Sequence, residues 1–255
     1  MRPNAINNTI TVLLTSTVRV RPAMYMTMRT SASLRLADYR EAFAMWLSNP
    51  AVNRIVFVEN SGYDLSEFEE LTSPHREKSV EFLSFVCPEF PVERGKGYGE
   101  VLCLEHALQH STLLKQSQIF VKASGRYYLR NGNRLLNFAN QNPQLQIICN
   151  LEKNLTWADS RAFAGSVDFL ANYLLPLKES INDSKGVYFE HILARAAHGV
   201  LAHGGSWAML PMVPEIVGIH ATNNIKFGLN PFILTVKKAI HHTKRRLFGR
   251  SDANS

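Results

Sequence analysis

The chain has 255 residues, 45% of them apolar, enough to bury a substantial core in one α/β domain with a tail. Its formal net charge of +7 is local: from Lys226 onward seven basic residues face one acid, Asp252, so the remainder is nearly neutral, which argues against a folded nucleic-acid-binding face. No apolar run reaches membrane-spanning length and Met1–Asn8 lacks a signal-peptide layout, so a cytoplasmic protein is expected; three scattered cysteines, Cys87, Cys103 and Cys149, fit reduced thiols rather than a disulfide frame or a zinc site.

In chain order, the β-branched alternation of Thr9–Val18 predicts a first strand. A basic, methionine-bearing loop follows over Val18–Arg35, then a helix over Leu36–Ser48 that stops before Pro50. Arg54-Ile55-Val56-Phe57-Val58-Glu59-Asn60 reads as a buried strand ending in a polar, glycine-bearing turn, where Glu59 and Asn60 could meet a ribose or base. Leu65–Val86 reads as a helix interrupted at Pro74. Gly95-Lys96-Gly97-Tyr98-Gly99-Glu100 opens a helix through Leu108, with Gly97 and Tyr98 placed to lie against a nucleotide; it is neither a GxGxxG fingerprint nor a P-loop.

The next strand runs through Phe120-Val121-Lys122-Ala123-Ser124 into Gly125-Arg126-Tyr127-Tyr128. Lys122 and Arg126 bring two positive charges to a strand end beside Ser124 and Gly125, the chemistry a diphosphate requires. Asn131–Asn140 predicts a helix and Leu145–Asn150 a strand. Asp159–Leu174 predicts a helix with Asp159 as its cap, and Val187–Leu201 a helix entered through Gly186. Ile216–Thr222 reads as a strand end where His220 and Lys226 could touch phosphate. His106 and His110 share a helix face without a third ligand, so no zinc site is inferred.

The last stretch, Pro231–Phe248, sets Phe232, Ile233, Val236, Ile240, Leu247 and Phe248 near one helical stripe beside Lys237, Lys238, Lys244, Arg245 and Arg246. That is the makeup of a helix lying in an anionic membrane interface, and it divides the chain into a domain over 1–228 and a basic amphipathic tail over 229–255.

The order of these elements resembles the nucleotide-binding half of a GT-A glycosyltransferase, a Rossmann-type mixed α/β fold, and the K-x-[ST]-G-R-Y stretch resembles that of bacterial polysaccharide and lipopolysaccharide glycosyltransferases. The resemblance covers most of residues 9–228. It implies hexosyl transfer, with galactose as a candidate, from a UDP-linked donor to a lipid-linked glycan acceptor in O-antigen or related synthesis, at the inner membrane face. In that family the strand usually ends in Asp-x-Asp, which holds a divalent metal; Lys122-Ala123-Ser124 stands there instead, so no metal is expected from such a site. Gly186–His191 occupies the late place of a catalytic acid, which makes Glu190 the first candidate base and Asp159 the second. The rival readings are a non-catalytic α/β protein that binds membrane or nucleic acid, and a nucleotidyl- or phosphotransferase.

Overall fold

The computed structural model describes residues 10–25, 27–219, 226–227, 231–248 and 250–251. Three strands with almost no exposed residue form the centre: β1 (Ile10–Ser16), β2 (Arg54–Glu59) and, further along, the strand Ile119–Ser124. Burial on both faces explains why they read as near-continuous apolar runs, as parallel strands covered by helices do. Between the first two lies α1 (Ala32–Leu47), and α2 (Ser66–Thr72) leads to β3 (Ser79–Ser84). Next come α3 (Gly95–His110), the short α4 (Thr112–Lys115), β4 (Ile119–Ser124), β5 (Tyr128–Leu129) and α5 (Asn133–Gln141). The second half adds β6 (Ile147–Ile148), the hairpin β7 (Leu151–Glu152) and β8 (Trp157–Ala158), β9 (Ala162–Ser166), and helical turns beginning at α6 (Val167–Phe169). It closes with α7 (Phe189–Ala202), β10 (Trp207–Ala208), β11 (Ile216–Val217), α8 (Pro231–Phe248) and β12 (Arg250–Ser251).

The main sheet has the order β12-β10-β6-β9-β4-β1-β2-β3. Its β3-β2-β1-β4 part is parallel, and β9 runs antiparallel between β4 and β6. Strand alternation divides the core. Val12, Leu14, Ile55, Phe57, Val121 and Ala123 pack with α1 and α5, whereas Leu13, Val56, Val58 and Phe120 pack with α3 and α7. This is the Rossmann-type mixed α/β sheet expected from the order of elements. The chain steps from β1 to β2 and β3 on one side, then returns to β4 on the other side of β1. That reversal opens a crevice beyond the carboxyl ends of the strands, the place where open α/β sheets bind ligands.

Three expected elements differ. α1 starts at Ala32 rather than Leu36 because Ser31 caps it, its hydroxyl accepting from the Leu34 amide. The helix expected over Leu65–Val86 ends at Thr72, with one tight turn through Pro74, and its last part is the half-exposed edge strand β3. The helix expected over Asp159–Leu174 is mostly strand at first: β9 pairs with β4 over Ala162–Ser166, and the helical turns start at Val167, capped by the Ser166 hydroxyl.

The tail helix α8 presents Phe232 at 75%, Phe248 at 69% and Leu247 at 67% exposure. Its other side rests on the domain through a Lys238–Glu215 ion pair at 2.7 Å, His241 Nε2 against the Leu210 carbonyl at 2.8 Å, and Arg245 over the Phe138 ring. Among the described residues no helix is long and apolar enough to cross a membrane.

Candidate functional site

A cavity of about 400 Å³ fills the crevice. Thr15, Ser16 and Thr17 from the end of β1, Asn60 and Ser61 from β2, and Ser124 and Arg126 from β4 form its floor. The loop after β1 supplies Arg19 and Arg21, and the first turns of α3 supply Lys96, Gly99 and Glu100. This loop is held by α1: Arg35 Nε donates to the Thr17 carbonyl at 2.6 Å, the Thr17 amide donates to Tyr39 Oη at 2.8 Å, and Arg29 pairs with buried Asp38.

The strand-end turn of β4 depends on Gly125. Its amide donates to the Thr15 carbonyl at 2.8 Å, and a Cβ there would lie 2.9 Å from that oxygen. The close approach carries Arg126 past the strand end and into the cavity wall. Arg126 is 7% exposed, donates through one terminal nitrogen to the Ile219 carbonyl at 3.2 Å, and leaves its Nε without a partner. Arg21 lies over the Phe90 ring at 3.9 Å and likewise has a buried terminal nitrogen without a partner. Two buried guanidinium N–H groups left open beside one cavity are costly unless an acceptor arrives.

Lys122 is placed differently from the sequence expectation. It belongs to the strand, one residue in register with Leu13 and Phe163, and its fully buried side chain points into the α3 layer. There it pairs with Glu100 and donates to the Ser160 carbonyl at 2.6 Å, so its ammonium supports the cavity from beneath and does not line it. A cation at this position, already committed to Glu100, does not fit a divalent metal held at the end of β4. Among the described residues no group of three or more His, Cys, Asp or Glu stands together as a metal site.

Glu59 also turns away from the cavity. Buried completely, it accepts from the amides of Val18, Ser61 and Tyr63 at 2.8–2.9 Å and so ties the loops after β1 and β2 together. Asn60 does line the cavity, accepting from the Thr17 hydroxyl at 2.7 Å and donating to the Gly99 carbonyl at 2.9 Å. Tyr98 faces the opposite side of α3, its hydroxyl on Glu179 at 3.0 Å and its ring under Arg94. Gly97 packs against Asp183 and the start of α7. His220 lies outside the described residues; Lys226 is exposed and forms an isolated bridge with Ile219.

Glu190, in the first turn of α7, accepts from the Ser160 hydroxyl at 2.8 Å. Burial raises its pKa above the ordinary carboxylate value, and the nearby Glu100 and Asp159 charges add to the rise. Asp159 is not a helix cap. It sits in the turn entering β9 and holds Arg161 in a forked ion pair.

Arg21 comes from the basic Val18–Arg35 loop, and Lys96 and Asp183 are further residues that the sequence does not single out. Lys96 was visible in the Gly95-Lys96-Gly97 run; its pKa is lowered by burial, against the opposing charges of Asp183, Glu190 and Glu100. Asp183 carried no local signal. It is 4% exposed, accepts weakly from the Gly97 amide and keeps one carboxylate oxygen without a partner. Gly95, at φ +74°, must be glycine twice over, since a Cβ would also fall 2.0 Å from that carboxylate.

Burial pushes the Asp183 pKa from 3.8 up to about 6. The native state therefore holds this proton more tightly than the unfolded chain, and the group's contribution to stability is lost as pH rises from about 4 to about 6. Asp183→Asn should be more stable than the parent by about 1–3 kcal/mol at pH 7.5, the difference vanishing below about pH 4. Urea unfolding across that range checks it, and parallel stability curves would remove the assignment.

No protein-family model matches the chain, and no curated protein matches it in sequence. Solved structures do match. A mannosyltransferase from Pyrobaculum calidifontis, in complex with GDP-mannose and Mn²⁺, is 13% identical with a TM-score of 0.47; the match covers 96% of this chain and 66% of that one, so the chain spans just under two thirds of that protein. A 4-diphosphocytidyl-2C-methyl-D-erythritol synthase from Anaerococcus prevotii is 9% identical with a TM-score of 0.42, over 93% of this chain and 98% of that chain. A cytidylyltransferase from Leptospira borgpetersenii is 8% identical with a TM-score of 0.39, over 71% and 74%.

Proposed function

We propose that the protein is a nucleotide-sugar-dependent glycosyltransferase that moves a hexose, with galactose as the candidate, from a UDP-linked donor to a lipid-linked glycan acceptor in cell-surface polysaccharide or O-antigen synthesis. The observation that carries this reading is the strand-end cavity, where the buried Nε of Arg126 and a terminal nitrogen of Arg21 have no partner and Lys96 lines the same wall. A diphosphate supplies oxygens for all three. Thr15, Ser16, Asn60 and Ser61 offer hydroxyl and amide groups for the nucleoside end.

In the proposed reaction the acceptor hydroxyl attacks the anomeric carbon as the bond to the diphosphate oxygen breaks. The electron pair stays on the diphosphate, whose developing charge Arg126 and Lys96 stabilise, and Glu190 takes the hydroxyl proton. Lys122 holds Glu100 at the cavity edge and so keeps α3 and β4 in register. The α8 helix is proposed to seat the enzyme on the inner membrane face beside its lipid-linked acceptor.

Arg126→Ala should weaken nucleoside diphosphate binding by about 1.5–3 kcal/mol, roughly tenfold to 150-fold in Kd. Thermal-shift titration with UDP, GDP, CMP and TDP reads this directly, because ligand binding to the native state raises Tm. Equal affinity in the folded variant would withdraw Arg126, and no shift with any of the four would withdraw the donor site.

A further inference from the structure

Next to Glu190 in the chain, and outside the residues that line the cavity, lies an aromatic cluster that the proposed donor site does not use. Trp157 opens β8, the second strand of the β7–β8 hairpin, and Tyr188 and His191 lie on either side of Glu190 in the chain. The Tyr188 and His191 rings stack at 5.7 Å with 21° between their planes, and Trp157 stands edge-on to both at 5.9 and 5.1 Å. All three are only partly buried. The His191 pKa is lowered by burial and by the Arg195 and Lys153 charges.

The hairpin that brings Trp157 here is built at a cost. Lys153, Asn154 and Leu155 have φ of 48°, 57° and 65°, three successive left-handed residues, none of them glycine. Such backbone persists where surrounding structure holds it, and it gathers at functional sites. His198 Nε2 at 2.8 Å from the Leu155 carbonyl fixes the tip onto α7. The turn folds Lys153 back so that its exposed ammonium lies 3.5 Å from the centre of the indole ring. That ammonium sets a full positive charge on the electron-rich face, the position that the weakly positive C–H groups of a sugar can take.

We infer that Trp157, Tyr188 and His191 form a stacking platform for a pyranose ring of the acceptor glycan, with the Asp159–Arg161 ion pair beside it to bind hydroxyls. The forked Asp159–Arg161 pair supplies acceptors and donors two and four residues along the chain from Trp157. Ser160, between them, hydrogen-bonds Glu190. Tyr188, the cap of α7, and His191 belong to the same first turn as Glu190, so a ring on the platform lies at the turn that carries the carboxylate proposed to take its hydroxyl proton. The inference rests on the transferase reading for the word acceptor, and on its own geometry for the sugar.

The test uses the full chain with methyl glycosides of glucose, galactose, mannose and N-acetylglucosamine, read by saturation-transfer difference NMR, with UDP and GDP binding measured in parallel. At least one glycoside should receive saturation on its ring C–H protons, Trp157→Ala should abolish this, and Trp157→Phe should keep it within about threefold. Nucleotide affinity should be the same in all three proteins. Glycoside binding that survives Trp157→Ala, or no transfer to any glycoside while UDP or GDP binds, overturns the platform. Glycoside binding without nucleotide binding leaves the platform standing and sinks the donor reading instead. Should Trp157→Ala fail to fold, Lys153→Ala decides: uncovering the indole raises the transfer if the platform is right, and no change overturns it.

Discussion

Glu190→Gln should leave nucleotide affinity within about twofold and lower turnover by roughly 10²–10⁴-fold, the size of a lost general base. Glutamine keeps the shape and can still accept from the Ser160 hydroxyl, so the buried surroundings of Glu190 stay satisfied. What it cannot do is take a proton. The parent enzyme should show an acid limb: the base works only when ionised, so rate is lost as pH falls through the Glu190 pKa, which burial places above the ordinary carboxylate range. The limb should disappear in the variant, leaving a low, pH-flat residual rate. Measuring kcat against pH for both proteins separates this from a structural role, which would change stability without removing a titration. Near-normal turnover in the folded variant would take Glu190 out of the mechanism.

The central strands were legible because burial on both faces writes a continuous apolar run, and β1, β2 and β4 are such runs. β3 hid because it is an edge strand, half exposed and flanked by serines, directly after a true helix. β9 hid because Ala162-Phe163-Ala164-Gly165-Ser166 contains no β-branched residue; its pairing with β4 and β6, not local propensity, makes it a strand.

The site shows the same division. Arg126 lines the cavity because it lies past a strand end. Lys122 was misread for the opposite reason: it shares the strand's period with Phe120, so its side chain enters the α3 layer and meets Glu100. Glu59 is a comparable case, a carboxylate at a strand end that caps backbone amides. Arg21 belongs to the basic loop after β1, which the sequence shows as a loop able to reach a ligand without showing which residue enters the cavity; Asp183 carries no local signal, since only the fold brings it against Gly95 and Gly97. The Trp157–Tyr188–His191 cluster joins two segments some thirty residues apart, a proximity that only the β8–α7 packing creates.

The tail helix should hold the protein on anionic vesicles, and substitution tests this more cleanly than truncation. Removing residues from 229 onward would also delete the Lys238–Glu215 pair, the His241 contact with Leu210 and the β12–β10 pairing, all of which tie the tail to the domain. The outward stripe offers other positions: Ile240, Leu247 and Phe248 are each at least half exposed. Each of these side chains is worth about 1.5–3 kcal/mol when fully buried in an apolar phase, and each nearby Lys or Arg about 1 kcal/mol at an anionic surface. Replacing the three by glutamate should therefore abolish flotation with phosphatidylserine-containing liposomes while leaving Tm and nucleotide affinity unchanged. Charge reversal at Lys237 and Lys244, which flank the stripe, should weaken flotation and make the remainder insensitive to salt. Equal binding of the parent to neutral and anionic vesicles would reject the electrostatic half of the anchor. Unchanged flotation of the triple variant would reject the anchor altogether. A fall in Tm on these exposed substitutions would mean that the stripe packs on protein, and the helix would then be a structural part of the domain.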